Sequence, residues 1–261
     1  VPGRARSRRN SGGSEIDPGI GKMSESTEHI VKSFEQELVR LGDLIARMGG
    51  LVENQVALAA AAVVERDAGA AARTVEMDPQ VDALEHEVER FAIRLLALRQ
   101  PVAGDLRRIV SALKVTAALE RIGDYAVNVA KRSMVLSQFQ LSFSLAGIGS
   151  MARMVQRNLK TVIDAASEND PVKAMDVWRS DQMIDDFYTS TFRELITYMM
   201  EDPRNITPCT HLLFIAKNLE RIGDHATNIA ETVHYAATGE VLPDERPKGL
   251  SSAFVIDRPE A

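Results

Sequence analysis

Glu120 and Asp124 stand four residues apart, as do Glu220 and Asp224. On a helix that spacing puts both carboxylates of a pair on one face. Two like charges so placed cost about 0.2–0.5 kcal/mol even in solvent, so a pair that occurs twice at corresponding positions calls for a cation. A second set has the same spacing, Asp78 with Asp82 and Asp181 with Asp185. Packing helices that carry the two sets side by side would gather four carboxylates in each copy. Desolvated and uncompensated, such groups cost several kcal/mol each. Oxygen-only donors suit Mg²⁺, Mn²⁺, Ca²⁺ or iron, and not a zinc ion held by Cys and His. These eight acids are the candidate metal ligands.

Each has a structural alternative. Arg121 and Arg221 adjoin the glutamates, and ion pairing within the bundle would make the motif purely structural. Asp78 precedes Pro79, the arrangement of an N-cap followed by a proline at the first helical position. Asp181 lacks that proline, which favours the ligand reading of the aligned pair. Asn128 and Asn228 lie one turn beyond the aspartates, either supplying an oxygen or packing on the surface. Gly123 and Gly223 sit within the motif despite a helix cost of about 1 kcal/mol, which points to close helix approach.

The elements that must position these residues are helices. Aromatic residues make up only 5% of the chain against 45% apolar overall, a balance that suits helices better than strands. Apolar steps of three and four at Phe34, Leu38, Leu41, Ile45, Met48, Val52 and Val56 predict a first helix from about Glu28 to Arg66. Gly49-Gly50 interrupts that pattern as a candidate bend. A second helix is expected from Asp78 to Arg99, ended by Gln100-Pro101, and a third from Ala103 to Ser137. The order then repeats: Ser144–Ser167, a helix opened by Asp170-Pro171, a boundary at Asp202-Pro203, and Asn205–Ala237 stopped by Gly239.

On the third helix Glu120 and Asp124 fall within about 20° of the line through Leu106 and Leu113. Ile122 and Val129 lie on the opposite side with Val115 and Ala118, and that face is the expected core.

The repeat is explicit. Residues 120–131 read ERIGDYAVNVAK and residues 220–231 read ERIGDHATNIAE, identical at eight of twelve positions with an offset of 100. Upstream, Asp67, Asp78 and Asp82 align with Asp170, Asp181 and Asp185 at an offset of 103. Three residues are therefore missing from the second copy, expected in the connection before its last helix. The fold class is all-α, two tandem three-helix bundles related by internal duplication. The expected organisation is a tail at 1–27, repeats at 28–138 and 139–239, and a loose C-terminal tail at 240–261.

Charge sharpens the reading. The whole chain carries −6 and residues 1–22 carry +3, leaving −9 for the remainder. No basic footprint is available for nucleic acid. The single cysteine, Cys209, excludes an intrachain disulfide and fits a reducing compartment. No apolar run approaches the ~18 residues of a membrane span. The Arg/Gly/Ser-rich opening lacks a secretory core and reads as a tail or cloning remnant, with Met23 a candidate start. A cytoplasmic location is expected.

Glu-Arg-Ile-Gly-Asp-x-Ala-x-Asn, present once on the last helix of each repeat, resembles the PhoU family of phosphate-uptake regulators. The similarity runs from about Glu28 to Gly239, and Met199–Asn205 resembles the family's connection in its second repeat. The resemblance implies a non-enzymatic cytosolic accessory of the phosphate ABC transporter and its ATPase subunit. It implies relay of phosphate sufficiency to a membrane-bound sensor histidine kinase and repression of the phosphate-starvation response. It also implies metal binding, iron or manganese first and Mg or Ca as alternatives, at Asp78/Asp82, Glu120/Asp124, Asp181/Asp185 and Glu220/Asp224; a homodimer is expected from the second apolar face of the long helices, since exposed apolar stripes find a partner. Lys131 against Glu231 and Tyr125 against His225 distinguish the copies, so the clusters need not hold equal numbers of ions.

Two other classes fit parts of the pattern. A di-metal carboxylate oxidase requires two Glu-x-x-His motifs; only Glu231–His234 has that spacing, and its counterpart is Lys131–Met134. A metal-free helical interaction module requires the acids to pair with arginines. No nucleophile elbow, Walker loop or zincin pattern is present.

Overall fold

The computed structural model describes residues 18–243, with side chains from residue 33. Of the tails expected at 1–27 and 240–261, residues 1–17 and 244–261 lie outside the described residues. Six α-helices follow in order: α1 Pro18–Val64, α2 Ala68–Arg99, α3 Ala103–Leu136, α4 Ala146–Glu168, α5 Pro171–Glu201 and α6 Ile206–Thr238. No strand occurs among the described residues. The chain divides into two units between Leu38 and Val39, and the architecture below concerns the second unit.

α1 begins at Pro18 rather than Glu28, the proline standing at the first helical position where its missing N–H costs no helix bond. It also continues without interruption through Gly49-Gly50. Gly49 meets α4, where an added Cβ would fall 2.9 Å from Ile163. The glycine permits that close packing.

The larger correction concerns α2. It starts at Ala68, ten residues before the expected Asp78. Asp67 is the cap, its carboxylate accepting from the backbone N–H of Gly69 at 2.8 Å and of Ala70 at 3.0 Å. Pro79 lies inside the helix. Losing one backbone bond at an exposed proline is outweighed by the continuous buried stripe on either side, Ala70, Ala71, Thr74, Val81, Leu84, Val88, Ala92 and Leu95. Asp78 is therefore free of capping duty.

The second repeat is capped as its sequence reads. Asp170 accepts from the N–H of Val172 at 2.8 Å and Lys173 at 3.2 Å, and Pro171 takes the first turn. Asp202 caps a single 3-10 turn, Pro203–Asn205, that leads into α6. Gly239 closes α6 with φ of 79°.

The core lies where α3 and α6 face each other and their neighbours. Ile122, Val129, Ile222 and Ile229 are at most 1% exposed, as the apolar face opposite the acids requires. α2 packs on α3, and α5 on α6, so each acidic helix lies beside the helix that carries the matching aspartates.

Candidate metal centre on the paired acidic helices

In the first repeat the α2–α3 seam carries Asp78, Asp82, Glu120 and Asp124 together. Burial raises the Asp78 carboxyl above its ordinary range; Asp82 and Asp124 raise it further, while Gln55 and Lys131 oppose them. Glu120 is pushed up to about 7 by burial first and then by Asp124, with Arg121 opposing and Glu85 adding to the rise. Glu85 is raised in turn by burial, Glu89 and Asp82. Five acids thus form one row across two helices. Arg121 spans the outer side, 3.4 Å from Glu120 Oε2 and 3.5 Å from Asp124 Oδ2. Its side chain is 60% exposed, so the pairing is loose and solvated.

The second repeat brings its four predicted acids to the α5–α6 seam. Asp181 is buried and accepts from the Thr227 hydroxyl at 2.9 Å. Asp185 is raised by burial, then by Asp181 and Asp224, and lowered by Lys217. Lys217 Nζ lies 2.6 Å from Glu220 Oε1. Glu220 Oε2 is buried with no hydrogen-bond partner.

The two motifs meet at the α3–α6 crossing. The rings of Tyr125 and His225 lie 5.6 Å apart, tilted by 35°, and the Arg221 guanidinium sits 5.6 Å from the Tyr125 centroid. Burial lowers the His225 pKa, helped by Arg121 and Arg221. Gly123 and Gly223 allow the close approach their position implies. A Cβ at 123 would lie 2.9 Å from Gln55 Oε1, and one at 223 would lie 2.8 Å from Ile184 Cδ1.

A family model described as PhoU domain matches residues 45–133 and again 148–233, so each match contains one acidic seam. The chain belongs to the PhoU family. It is 51% identical over 223 residues to a phosphate-specific transport system accessory protein PhoU homolog of Caulobacter vibrioides, covering 85% of this chain and 97% of that one. A homolog of the same description from Rhizobium meliloti is 47% identical, with 85% and 94% covered. The crystal structure of PhoU from Pseudomonas aeruginosa superimposes with a TM-score of 0.78 at 39% identity, over 79% of this chain and all of that one. Among the described residues no helix is long and apolar enough to cross a membrane.

Four residues on this PhoU fold join the seams without having been singled out in the sequence. Glu85 lies three residues after Asp82, Lys217 three before Glu220 and Thr227 three after Asp224. Extending the face of each motif by one turn finds all three. Gln55 is different: it lies on α1 between the core residues Val52 and Val56 and is fully buried. A polar residue interrupting an apolar stripe was the available signal. Asn128, by contrast, is exposed.

The donor set fits a hard cation. Gln55 Oε1 and Glu220 Oε2 are buried oxygens without a hydrogen-bond partner, a costly condition unless a positive group approaches. Burial and neighbouring acids raise Asp78, Glu85 and Glu120 in the first seam and Asp185 in the second, as negative charge short of compensation does. Among the described residues no three acids, imidazoles or thiols yet converge as a ready ligand shell. Seating an ion therefore requires carboxylate side chains to turn toward each other. Cys209 is fully buried with its thiol pushed up to about 11, which suits packing and not coordination.

Proposed function

We propose that this chain is a cytosolic, non-enzymatic regulator of phosphate uptake that binds metal ions at its two acidic seams. In this reading it represses the phosphate-starvation response through the phosphate ABC transporter, by way of its ATPase subunit, and a phosphate-sensing histidine kinase. The observation that carries the reading is its match over 97% of a relative named as a phosphate-specific transport system accessory protein.

The seams support the metal part. Asp78, Asp82, Glu120 and Asp124 would hold ions in the first repeat, and Asp181, Asp185, Glu220 and Asp224 in the second. Bound iron or manganese would supply positive charge between helices that otherwise repel along that edge, fixing α2 on α3 and α5 on α6. The chain's own part is to present carboxylates from two rigid helices and to cover their inner ends with Gln55 and Thr227. A surface kept in one packing is a surface partners can recognise, including a second copy of this chain.

The test is genetic and direct. Cells lacking this chain should express a phosphate-starvation reporter even in phosphate-replete medium, and the wild-type chain should restore repression. Glu120→Gln, Asp124→Asn, Glu220→Gln and Asp224→Asn combined should not. A reporter indifferent to loss of the chain would remove the regulatory reading.

A further inference from the structure

The two seams differ in where each keeps its fixed positive charge. Lys217 sits inside the second acidic row. Its ammonium is 2.6 Å from Glu220 Oε1 and 5.2 Å from the Tyr188 ring centroid, and it acts on Asp185 across the helix pair. The ammonium is ion-paired to Glu220 within α6 and exerts its charge on Asp185 of α5, and the aromatic face of Tyr188 steadies it. The first repeat has a looser arrangement: the 60%-exposed Arg121 reaches Glu120 at 3.4 Å and Asp124 at 3.5 Å from the outer side, and no lysine stands at the position of Lys217. Position 117 is alanine and position 85 is glutamate, where 217 is lysine and 188 is tyrosine. At the other end the pattern reverses: Lys131, which acts on Asp78, corresponds to Glu231.

The positive charges therefore sit differently in the two seams: close against Glu220 in the second, and toward Asp78 and on the solvated outer side in the first. An observation independent of the acids favours a stronger site in the first repeat. Gln55, fully buried, sets an unpartnered Oε1 against α3 at Gly123, one residue from Asp124, and so offers a neutral oxygen behind the acids. Its counterpart Asn158 instead donates to Ser180 at 2.8 Å.

Resting on the metal reading above, we propose that Lys217 is a built-in counter-cation that makes the two PhoU repeats bind divalent cations unequally: the first repeat, with Glu85 as an added ligand, binds tightly, and the second binds weakly because its own ammonium competes for Glu220.

Calorimetric titration of chelator-stripped full-length protein with MnCl₂ tests this. The wild-type chain should show a tight and a weak class of sites. Lys217→Ala should tighten the weak class by about tenfold or more and leave the tight class unchanged. Lys217 is 41% exposed at its side chain and Ala117 is exposed, so neither Lys217→Ala nor the reciprocal Ala117→Lys strains the core. Ala117→Lys should weaken the tight class by a similar factor. If the wild-type chain binds Mn²⁺ but both variants give its isotherm, the Lys217 proposal is overturned and the metal reading stands. If the folded wild-type chain takes up no Mn²⁺, both fall together.

Discussion

The Thr227 hydroxyl of α6 donates to Asp181 Oδ1 of α5 at 2.9 Å, in an interior where both residues are buried. The first repeat has valine at the corresponding position, Val127, and leaves Asp78 to the amide of Gln55. Thr227→Val keeps the shape of the side chain and removes the donor. It should cost about 1–2 kcal/mol, lowering Tm by a few degrees. An unchanged urea or thermal midpoint would show that this bond contributes nothing net.

Gly223 tests the close approach of α5 and α6. A Cβ there would lie 2.8 Å from Ile184 Cδ1 and 3.3 Å from its Cγ2, and Ile184 is 1% exposed with little room to move. Removing a mid-helix glycine gains up to about 1 kcal/mol of propensity, but overpacking costs about 1–3 kcal/mol. Gly223→Val, stiff and branched at Cβ, should be net destabilising in chemical denaturation. Stabilisation would mean that the helix pair separates readily.

Asp67 and Asp78 offer a paired contrast, since only one caps α2. Asp67→Ala should cost about 1 kcal/mol through the loss of two backbone acceptor contacts. Asp78→Asn should stabilise the metal-free protein, because the Asp78 carboxyl is raised by burial and by Asp82 and Asp124. Opposite shifts in midpoint support this assignment; equal losses would restore Asp78 as the cap.

That contrast marks how far the sequence could be read. Repeat order, the core face through Ile122 and Val129, and the caps at Asp170 and Gly239 were legible because periodicity and local turn chemistry determine them. The start of α2 was not, because Asp78-Pro79 imitates a cap and the buried stripe from Ala70 onward overrides it. The four-residue spacing already placed each pair of acids on one helix face, and the helix packing brings the pairs of each repeat to one seam. Their partners were not legible: Gln55 reaches the seam from a third helix, and no spacing within α2 or α3 encodes that contact. Lys217 lay within one turn of Glu220, yet only the packing of Tyr188 beneath it shows where its ammonium rests.

Glu120 gives the metal-free protein a defined pH dependence. Its folded pKa is raised from the ordinary 4.5 to about 7, by burial first and then by Asp124. A raised carboxyl binds more protons folded than unfolded, so its contribution is fully present below the unfolded value and is lost as pH rises through the folded one. Asp78, Glu85 and Asp185 are shifted the same way. Thermal melts in chelator from about pH 5 to about pH 8 should therefore show falling Tm, with a shallower fall in Glu120→Gln. Parallel curves would mean that Glu120 titrates as an ordinary surface acid.

The most direct test is the melting temperature of chelator-stripped protein as Mn²⁺ is added. An ion that binds the folded seams and not the unfolded chain must raise Tm with concentration. The account predicts that rise for the wild-type chain. It predicts a higher starting Tm with no response for the combined Glu120→Gln, Asp124→Asn, Glu220→Gln and Asp224→Asn variant. A wild-type Tm that stays flat across the titration, or a variant that rises equally, would contradict it.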